Sequence, residues 1–514
     1  MENPLLLGID VGTSSTKITL INEAGEVVFT TAPEYAFETP RPGWAESNPE
    51  DWWDAVVEGL GVLFKRSGIG PEAIAGMGLT GQMHGLVLLD GDGRVLRPCI
   101  MWNDQRTAPQ CSALTQKLGV HKIVEHTGNP LLAGFTAPKI AWVRENEPEV
   151  WAKAARVLLP KDYIRYRLSG EFFTDVSDAS GTSLFDVAGR VWSPEMLAAC
   201  GVPRAMLPEV TESAEASTKV SEAAARATGL RAGTPIIAGG GDQAAQAVGC
   251  GIVREGVVSC TLGTSGVVFA HSESCRVEPG GRLHAFCAAV PGQWHLMGVM
   301  LSAAGSYQWY RGVFDGEEAR AGRVDSAGVY AVLEEAAGRV PAGAEGLLFL
   351  PYLSGERTPH ADPHARGAFV GLSLRHGKAH LTRAVLEGVS YGLCDSLELM
   401  RGLGIEPGTV VASGGGAKSP LWRQMLADIF RAPIATVNAT EGAAYGAALL
   451  AGVGAGVYRS IQDGVDRTLT VTPAASPGPA AAVYRDFYPR YRALYPALKG
   501  EYGELARTVA KHFG

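Results

Sequence analysis

The stretch IDVGTSSTKITL, residues 9–20, returns in altered form as CTLGTSGVVF, residues 260–269. Each reads as an apolar strand, a Gly-Thr-Ser turn and a second strand, because β-branched runs broken by glycine mark hairpins. Superposing the turns sets Gly12-Thr13-Ser14 against Gly263-Thr264-Ser265, and Asp10 against Thr261. The echo is read either as coincidence between glycine-rich hairpins or as two related halves, each opening with a hairpin, that meet across a cleft near residue 250. A Gly turn followed by small hydroxylated residues points several backbone N–H groups one way and adds hydroxyl donors, which suits phosphate oxygens.

The rest of the chain favours two halves. Its 514 residues exceed what one hydrophobic core supports. With 46% hydrophobic and 19% charged residues, it is expected to fold around a large core. A net charge of -8 argues against a nucleic-acid partner. The opening MENPLLLGID lacks a basic region followed by a long apolar one, and no stretch approaches the roughly 20 apolar residues of a membrane span. A cytoplasmic location and no membrane partner are therefore expected. Eight scattered cysteines without a C-x-x-C pair read as reduced thiols. Strands alternate with helices such as the one expected after Asn48 and Pro49, the pattern of an α/β protein.

Two further glycine-rich junctions join a strand to a helix. AGGGDQAAQAVG, residues 238–249, places Asp242 directly after three glycines, as a helix N-cap or as a base for a hydroxyl. VVASGGGAKSPLWRQMLADIF, residues 410–430, brings backbone close to a ligand, with Lys418 and Ser419 in the expected first helical turn. The latter contains neither G-x-G-x-x-G nor G-x-x-x-x-G-K-[ST], so no Rossmann or P-loop assignment follows from it. Asp10 ends an apolar strand, where it caps a turn or meets Mg²⁺. Lys17 is a solvated hairpin lysine or a phosphate partner. In GQMHG, residues 81–85, His84 is an ordinary loop histidine or a hydroxyl ligand, with Met83 as an apolar wall. Trp102, Asn103 and Asp104 form either a core Trp with a turn or a sugar-contacting group, in which Asp104 is the residue chosen. The loop LSGERTPHADPHARG, residues 353–367, is assigned organisation and no chemistry.

The Asp-x-Gly-Thr-Ser opening, the second hairpin and the late Gly-Gly-Gly junction resemble the actin-like ATPase fold as used by the FGGY carbohydrate kinases. GFTAPKIAWVREN, residues 134–146, and GAFVGLSLRHGKAHLTRAVLE, residues 367–387, are similar to the two family signatures. GLTGQMHGLVLLD (78–90), CIMWNDQRT (99–107), PKDYIRYRLSGEFFTDVSDASGTSLFDV (160–187) and PYLSGERTPHADPHARG (351–367) resemble the ketopentose-specific members, with Gln-Met-His-Gly as the main discriminator.

The resemblance implies an α/β protein of two actin-like ATPase (ribonuclease H-like) domains with a central interdomain cleft. Residues 1–246 are then the sugar-binding domain with the catalytic base, 247–455 the nucleotide-binding domain, and 456–514 a helical tail packed on both. It implies transfer of the γ-phosphate of ATP, with Mg²⁺, to the 5-hydroxyl of D-xylulose. Ribulose, another polyol, a sugar acid or glycerol are alternative acceptors, and a sensor or scaffold that closes without phosphoryl transfer is the rival of another class. The family's base falls on Asp242 and its substrate contacts on Met83 and His84. Its nucleotide contacts fall on Thr13, Ser14, Lys17, Thr264, Gln308, Gly415 and Ser419, with Lys17 standing where relatives often carry Arg. Ala304 and Gln308 lie in the less closely matching segment LSAAGSYQWYRG, residues 301–312. A homodimer is also what the resemblance implies.

Overall fold

In the computed structural model, which describes residues 4–314, 326–438 and 442–513, both expected hairpins form. Leu5–Val11 pairs antiparallel with Thr16–Ile21, setting Asp10 opposite Lys17. Val257–Leu262 pairs antiparallel with Gly266–Ser272, setting Thr261 opposite Val267. The first strand of each hairpin also pairs parallel with a later strand. Asp10 lies beside Thr80 in one sheet, and Thr261 beside Ser413 in the other. The echo read from the turns therefore extends to strand direction and to the position of the paired residues.

The chain divides into two units. The first comprises Met1–Arg254, His271–His295 and Asn438–Thr470, and the second Glu255–Ala270, Leu296–Val437 and Val471–Gly514. By contacts, the two units interleave along the chain. The segment Asn438–Thr470 joins the first unit, and the expected tail is split, with its helix Ile461–Thr468 in the first unit and its helix Ala480–Phe513 in the second.

The first unit is built on a six-stranded sheet in the order Ala216–Lys219, Pro235–Gly241, Ile74–Gly81, Leu5–Val11, Thr16–Ile21, Val27–Thr31. One face is covered by the helix Pro49–Ser67, whose Asn48 side chain accepts the N–H of Glu50 and whose first turn carries Pro49, Glu50 and Asp51, as the sequence signals require. It buries Trp52, Val56, Leu60 and Leu63 against Leu7, Ile9 and Val11. Also packed on the sheet is the returning helix Gly442–Gly454, whose buried residues are mostly Ala, Gly and Leu. Its backbone comes so near that a Cβ on Gly8 would lie 1.9 Å from the carbonyl oxygen of Ala444, and one on Gly78 would lie 2.0 Å from that of Ala447. Residues 76–81 spell G-x-G-x-x-G, but they lie inside the strand Ile74–Gly81, and Gly78 serves helix packing.

In the second unit the strands follow the order Trp294–Met300, Gly266–Ser272, Val257–Leu262, Thr409–Ser413, Ile434–Val437, Val471–Ala475. The long helix Lys378–Gly402 lies against it with seventeen buried residues from Thr382 to Met400. Ala480–Phe513 docks through Tyr484, Tyr491, Tyr495 and Tyr502, spaced seven, four and seven residues apart along one face. Tyr484 donates to Oε1 of Glu387 at 2.9 Å, and the same oxygen takes the Nε–H of Arg383 at 2.7 Å. Among the described residues no helix is long and apolar enough to cross a membrane.

Candidate active site

Asp242 sits where the strand Pro235–Gly241 runs into the helix Asp242–Gly249. It is not the cap expected as one of its two readings. Gly241 occupies the N-cap position, and Asp242 is the first helical residue, half-buried. Gly239 has φ 74°, and a Cβ there would lie 1.7 Å from the carbonyl oxygen of Leu79, so only glycine lets the strand end lie this close to its neighbour. Burial, and then the charge of Asp10, push the Asp242 carboxyl up to about 7, with hydrogen bonds from Gln243 opposing them. A carboxylate near neutrality is suited to take a proton from an alcohol and release it again.

The strand end is held from below by a buried charge cluster. Nζ of Lys161 lies 2.6 Å from Asp162, 3.0 Å from Asp175 and 3.2 Å from Asp178, all without exposure. Asp175 Oδ2 accepts the hydroxyls of Ser177 at 2.5 Å and Ser213 at 2.8 Å. Ser177 Oγ accepts the N–H of Gly241, and the Arg165 guanidinium donates to the carbonyls of Ile237 and Ala238. Burial and the neighbouring carboxylates hold Asp178 well above the usual carboxylate range, despite the charge of Lys161. Sequence reading passed over this cluster, although it occupies PKDY and TDVSDAS, where charges recur at spacings that no solvated helix face explains.

The hairpin turn carrying Thr13 and Ser14 belongs to the same unit. Its carbonyl at Gly12 accepts the Tyr35 hydroxyl at 2.7 Å and the Gln82 amide at 3.0 Å, which fixes the turn. Thr13 and Ser14 donate no backbone hydrogen bond among the described residues. Trp102 Nε1 donates to Thr13 Oγ1 at 3.1 Å. Asp10 is half-buried and its Oδ1 is enclosed without a hydrogen-bond partner, so burial pushes its carboxyl up to about 6 against the opposing charge of Lys17.

His84 has φ 71°, a left-handed conformation uncommon for residues other than glycine. Its carbonyl accepts Lys139 Nζ at 2.8 Å and the Thr136 hydroxyl at 3.1 Å, so buried Lys139 pins this backbone. Burial brings that lysine down to about 7. The imidazole stacks on Phe135 with centroids 4.3 Å apart, and its Nδ1 lies 2.6 Å from the carbonyl oxygen of Gly181. Since that oxygen only accepts, Nδ1 carries a proton. Met83 packs against Gly241, where a Cβ would lie 2.8 Å from its Cγ, linking the Met-His pair to the residue before Asp242.

Asp104 departs from its expected role. It is fully buried, and its carboxylate accepts from the Ala45 N–H at 2.6 Å and from Arg106 through Nε and Nη2 at 3.0 and 2.7 Å. Arg106 in turn lies over the Trp44 ring at 3.6 Å. Both oxygens are committed to the framework, and none is left for a sugar hydroxyl. Adjacency to Trp102 concealed this, because the partner that claims Asp104 stands only two residues onward.

In the second unit, Thr264, Gln308, Gly415 and Ser419 line one cavity of about 430 Å³. Its walls add Ala304, Tyr307, Tyr330, Glu334 and Trp422. The Thr264 carbonyl accepts the N–H groups of Ala303 and Gly305, and the Gly263 carbonyl that of Ala304, so the turn is clamped by the start of the helix Ala304–Phe314. Gly414 has φ 83°, and a Cβ there would lie 2.6 Å from the Leu262 carbonyl, which repeats in this unit the close approach of Gly239. Ser419 is the N-cap of the helix Pro420–Phe430, so that helix starts after Lys418 and not before it. Glu334 and the two tyrosines come from segments without a recognisable motif.

Each unit thus carries one Gly-Thr-Ser hairpin and one close-packed glycine junction, the repeated arrangement of an actin-like fold. The chain matches the FGGY family of carbohydrate kinases, N-terminal domain, over residues 5–249 and the C-terminal domain of that family over residues 258–455. It belongs to the FGGY family of carbohydrate kinases, and is an ATP-using phosphotransferase with an alcohol acceptor. It is 42% identical to the xylulose kinase of Escherichia coli strain K12 over 96% of this chain and 99% of that one. It is 31% identical to the gluconokinase of Bacillus subtilis strain 168 over 98% and 97%. Among solved structures it resembles the xylulose kinase of Rhodospirillum rubrum, with a TM-score of 0.91 and 30% identity over 97% of this chain and 100% of that one.

Proposed function

We propose that the protein transfers the γ-phosphate of ATP to the 5-hydroxyl of D-xylulose. The observation that carries this reading is Asp242, a half-buried carboxyl raised to about 7 and directly following Gly241, against which Met83 packs. The His84 imidazole hydrogen-bonds one sugar hydroxyl, and Met83 covers carbon-bound hydrogens. The reacting hydroxyl oxygen attacks the γ-phosphorus, the bond to the β–γ bridging oxygen breaks, and the hydroxyl proton passes to Asp242. The cavity at Thr264, Gln308, Gly415 and Ser419 takes the nucleotide, and Thr13, Ser14 and Lys17 supply further donors to its phosphates.

Asp10 fits a divalent cation, since its enclosed Oδ1 has no hydrogen-bond donor among the described residues. Bound there, Mg²⁺ would neutralise charge on the transferring phosphoryl group. Among the described residues no group of three or more His, Cys, Asp or Glu is placed to hold a metal.

The gluconokinase relative raises a sugar acid as the second reading. A carboxylate substrate calls for a spare cation, but Lys139, beside His84, is spent on the carbonyls of His84 and Gly134. This favours a neutral ketose. Incubation with ATP, Mg²⁺ and separately xylulose, ribulose, gluconate and glycerol, with the phosphorylated product identified by mass spectrometry, tests the choice. Xylulose 5-phosphate as the main product is expected, and faster turnover of gluconate overturns the reading. A cytoplasmic homodimer belongs to the same proposal, read by sedimentation and by fractionation of the source cells.

A further inference from the structure

The nucleotide cavity of the second unit contains one acidic side chain, Glu334, among those lining it. A carboxylate is a hostile neighbour for a triphosphate, so its position constrains which end of a nucleotide lies beside it. Glu334 stands on the helix Ser326–Gly338, half-buried, one turn beyond Tyr330 and Ala331, which line the same cavity. Its Oε2 accepts the Ser419 hydroxyl at 2.7 Å, while Oε1 takes no hydrogen bond from the described residues. Ser419 Oγ in turn accepts the N–H of Trp422 at 3.1 Å, so the cap of the helix Pro420–Phe430 also orients the carboxylate. The Gly263–Thr264 turn offers the opposite chemistry. Its carbonyls are consumed by Ala303, Ala304 and Gly305, and Thr264 and Ser265 donate no backbone hydrogen bond among the described residues.

Resting on the kinase reading above, we propose that Glu334 is a specificity-determining residue whose Oε1 accepts a hydrogen bond from the nucleoside part of ATP. The phosphates then lie toward Thr264, where N–H donors suit them. The donors a nucleoside offers are its ribose hydroxyls and the 6-amino group of adenine. Either satisfies the Oε1 of this half-buried carboxylate, and a nucleotide lacking the relevant donor forgoes that hydrogen bond. Ser419 holds the acceptor in place before the ligand arrives, so little side-chain freedom is lost on binding.

The test is a comparison of Kd values by calorimetry on the full-length protein, which needs no sugar turnover. The ligands are ATP, 2′-deoxy-ATP, 3′-deoxy-ATP and the triphosphate of purine riboside, which lacks the 6-amino group. The proteins are the parent, Glu334→Gln and Glu334→Ala, each checked for an unchanged thermal transition. Expected is a roughly 5- to 10-fold preference of the parent for ATP over at least one analogue. In Glu334→Ala that preference falls to near unity, and in Glu334→Gln, which keeps a carbonyl acceptor, it survives in part. The analogue affected names the donor. Equal ratios in the parent and Glu334→Ala, or no discrimination by the parent, overturn the proposal while leaving the kinase reading intact. Absence of ATP binding by the parent overturns both.

Discussion

Ser177 Oγ accepts the backbone N–H of Gly241 at 3.2 Å, and Gly241 is the residue on which the first turn of the Asp242 helix is hung. The same hydroxyl donates to Asp175, which is paired with Lys161, so one buried side chain joins the strand end to the charge cluster. Ser177→Ala leaves a buried N–H without its acceptor and should cost about 1–3 kcal/mol in denaturant unfolding. With the base less firmly placed, kcat should fall roughly 10-fold or more while KM for the sugar changes little. Removal of the central cation in Lys161→Met leaves carboxylates facing one another and should cost about 3–5 kcal/mol, read in the same unfolding experiment.

Asp242→Asn keeps the shape of the side chain and removes the proposed proton acceptor, so sugar binding should persist while kcat drops on the order of 10²- to 10⁴-fold. Because the parent carboxyl titrates near 7, activity should rise with pH through about 7 as the basic form appears. The stability sign is opposite. An acid whose pKa is raised by folding favours the native state below its unfolded value and loses that contribution as pH rises through the folded value. Above pH 7, Asp242→Asn should therefore melt at a higher temperature than the parent, and below pH 4 the two should converge.

The charge of Asp10 is the second cause of the raised Asp242 value. Asp10→Asn should move the rising limb of the pH–rate profile to lower pH, because one repulsion is gone. The same substitution should weaken the response to Mg²⁺, seen as a higher metal concentration for half-maximal rate. A limb that stays at about 7 would separate the two carboxylates.

A Cβ at position 181 would lie 2.8 Å from both Nδ1 and Cε1 of His84 and 2.9 Å from Cε of Met83. Gly181→Ala should therefore displace the imidazole and raise KM for the sugar about 10-fold, with KM for ATP unchanged. Steady-state kinetics with each substrate varied in turn checks this.

What could be read from the chain and what could not divide along physical lines. Turns were legible because glycine and small hydroxylated residues have local reasons to stand where they do. Thus Thr13, Thr264 and the glycines before Asp242 emerged as special positions, whereas Gln308, Gly415 and Ser419, which line one cavity with Thr264, were chosen through the family resemblance. Asp104 misled because its role depends on a partner's direction, and sequence order carries no direction. Ser177 and Lys161 were invisible as supports, since Ser177 meets Gly241 across 64 positions and Lys161 meets Asp175 and Asp178 in a buried cluster that exists only after folding. Glu334 has no motif around it and becomes notable only once Ser419 meets it across 85 positions.

The late return of Asn438–Thr470 to the first unit has a consequence for synthesis and for dissection of the gene product. A nascent chain stopped anywhere before the helix Gly442–Gly454 has Gly8 and Gly78 bare, so the sheet bearing Asp242 stays open to water until nearly nine-tenths of the polypeptide has been made. Neither half can be cut out as an uninterrupted fragment with its own core complete, and a truncation that removes Asn438–Thr470 would strike the sheet bearing Asp242 as directly as its counterpart.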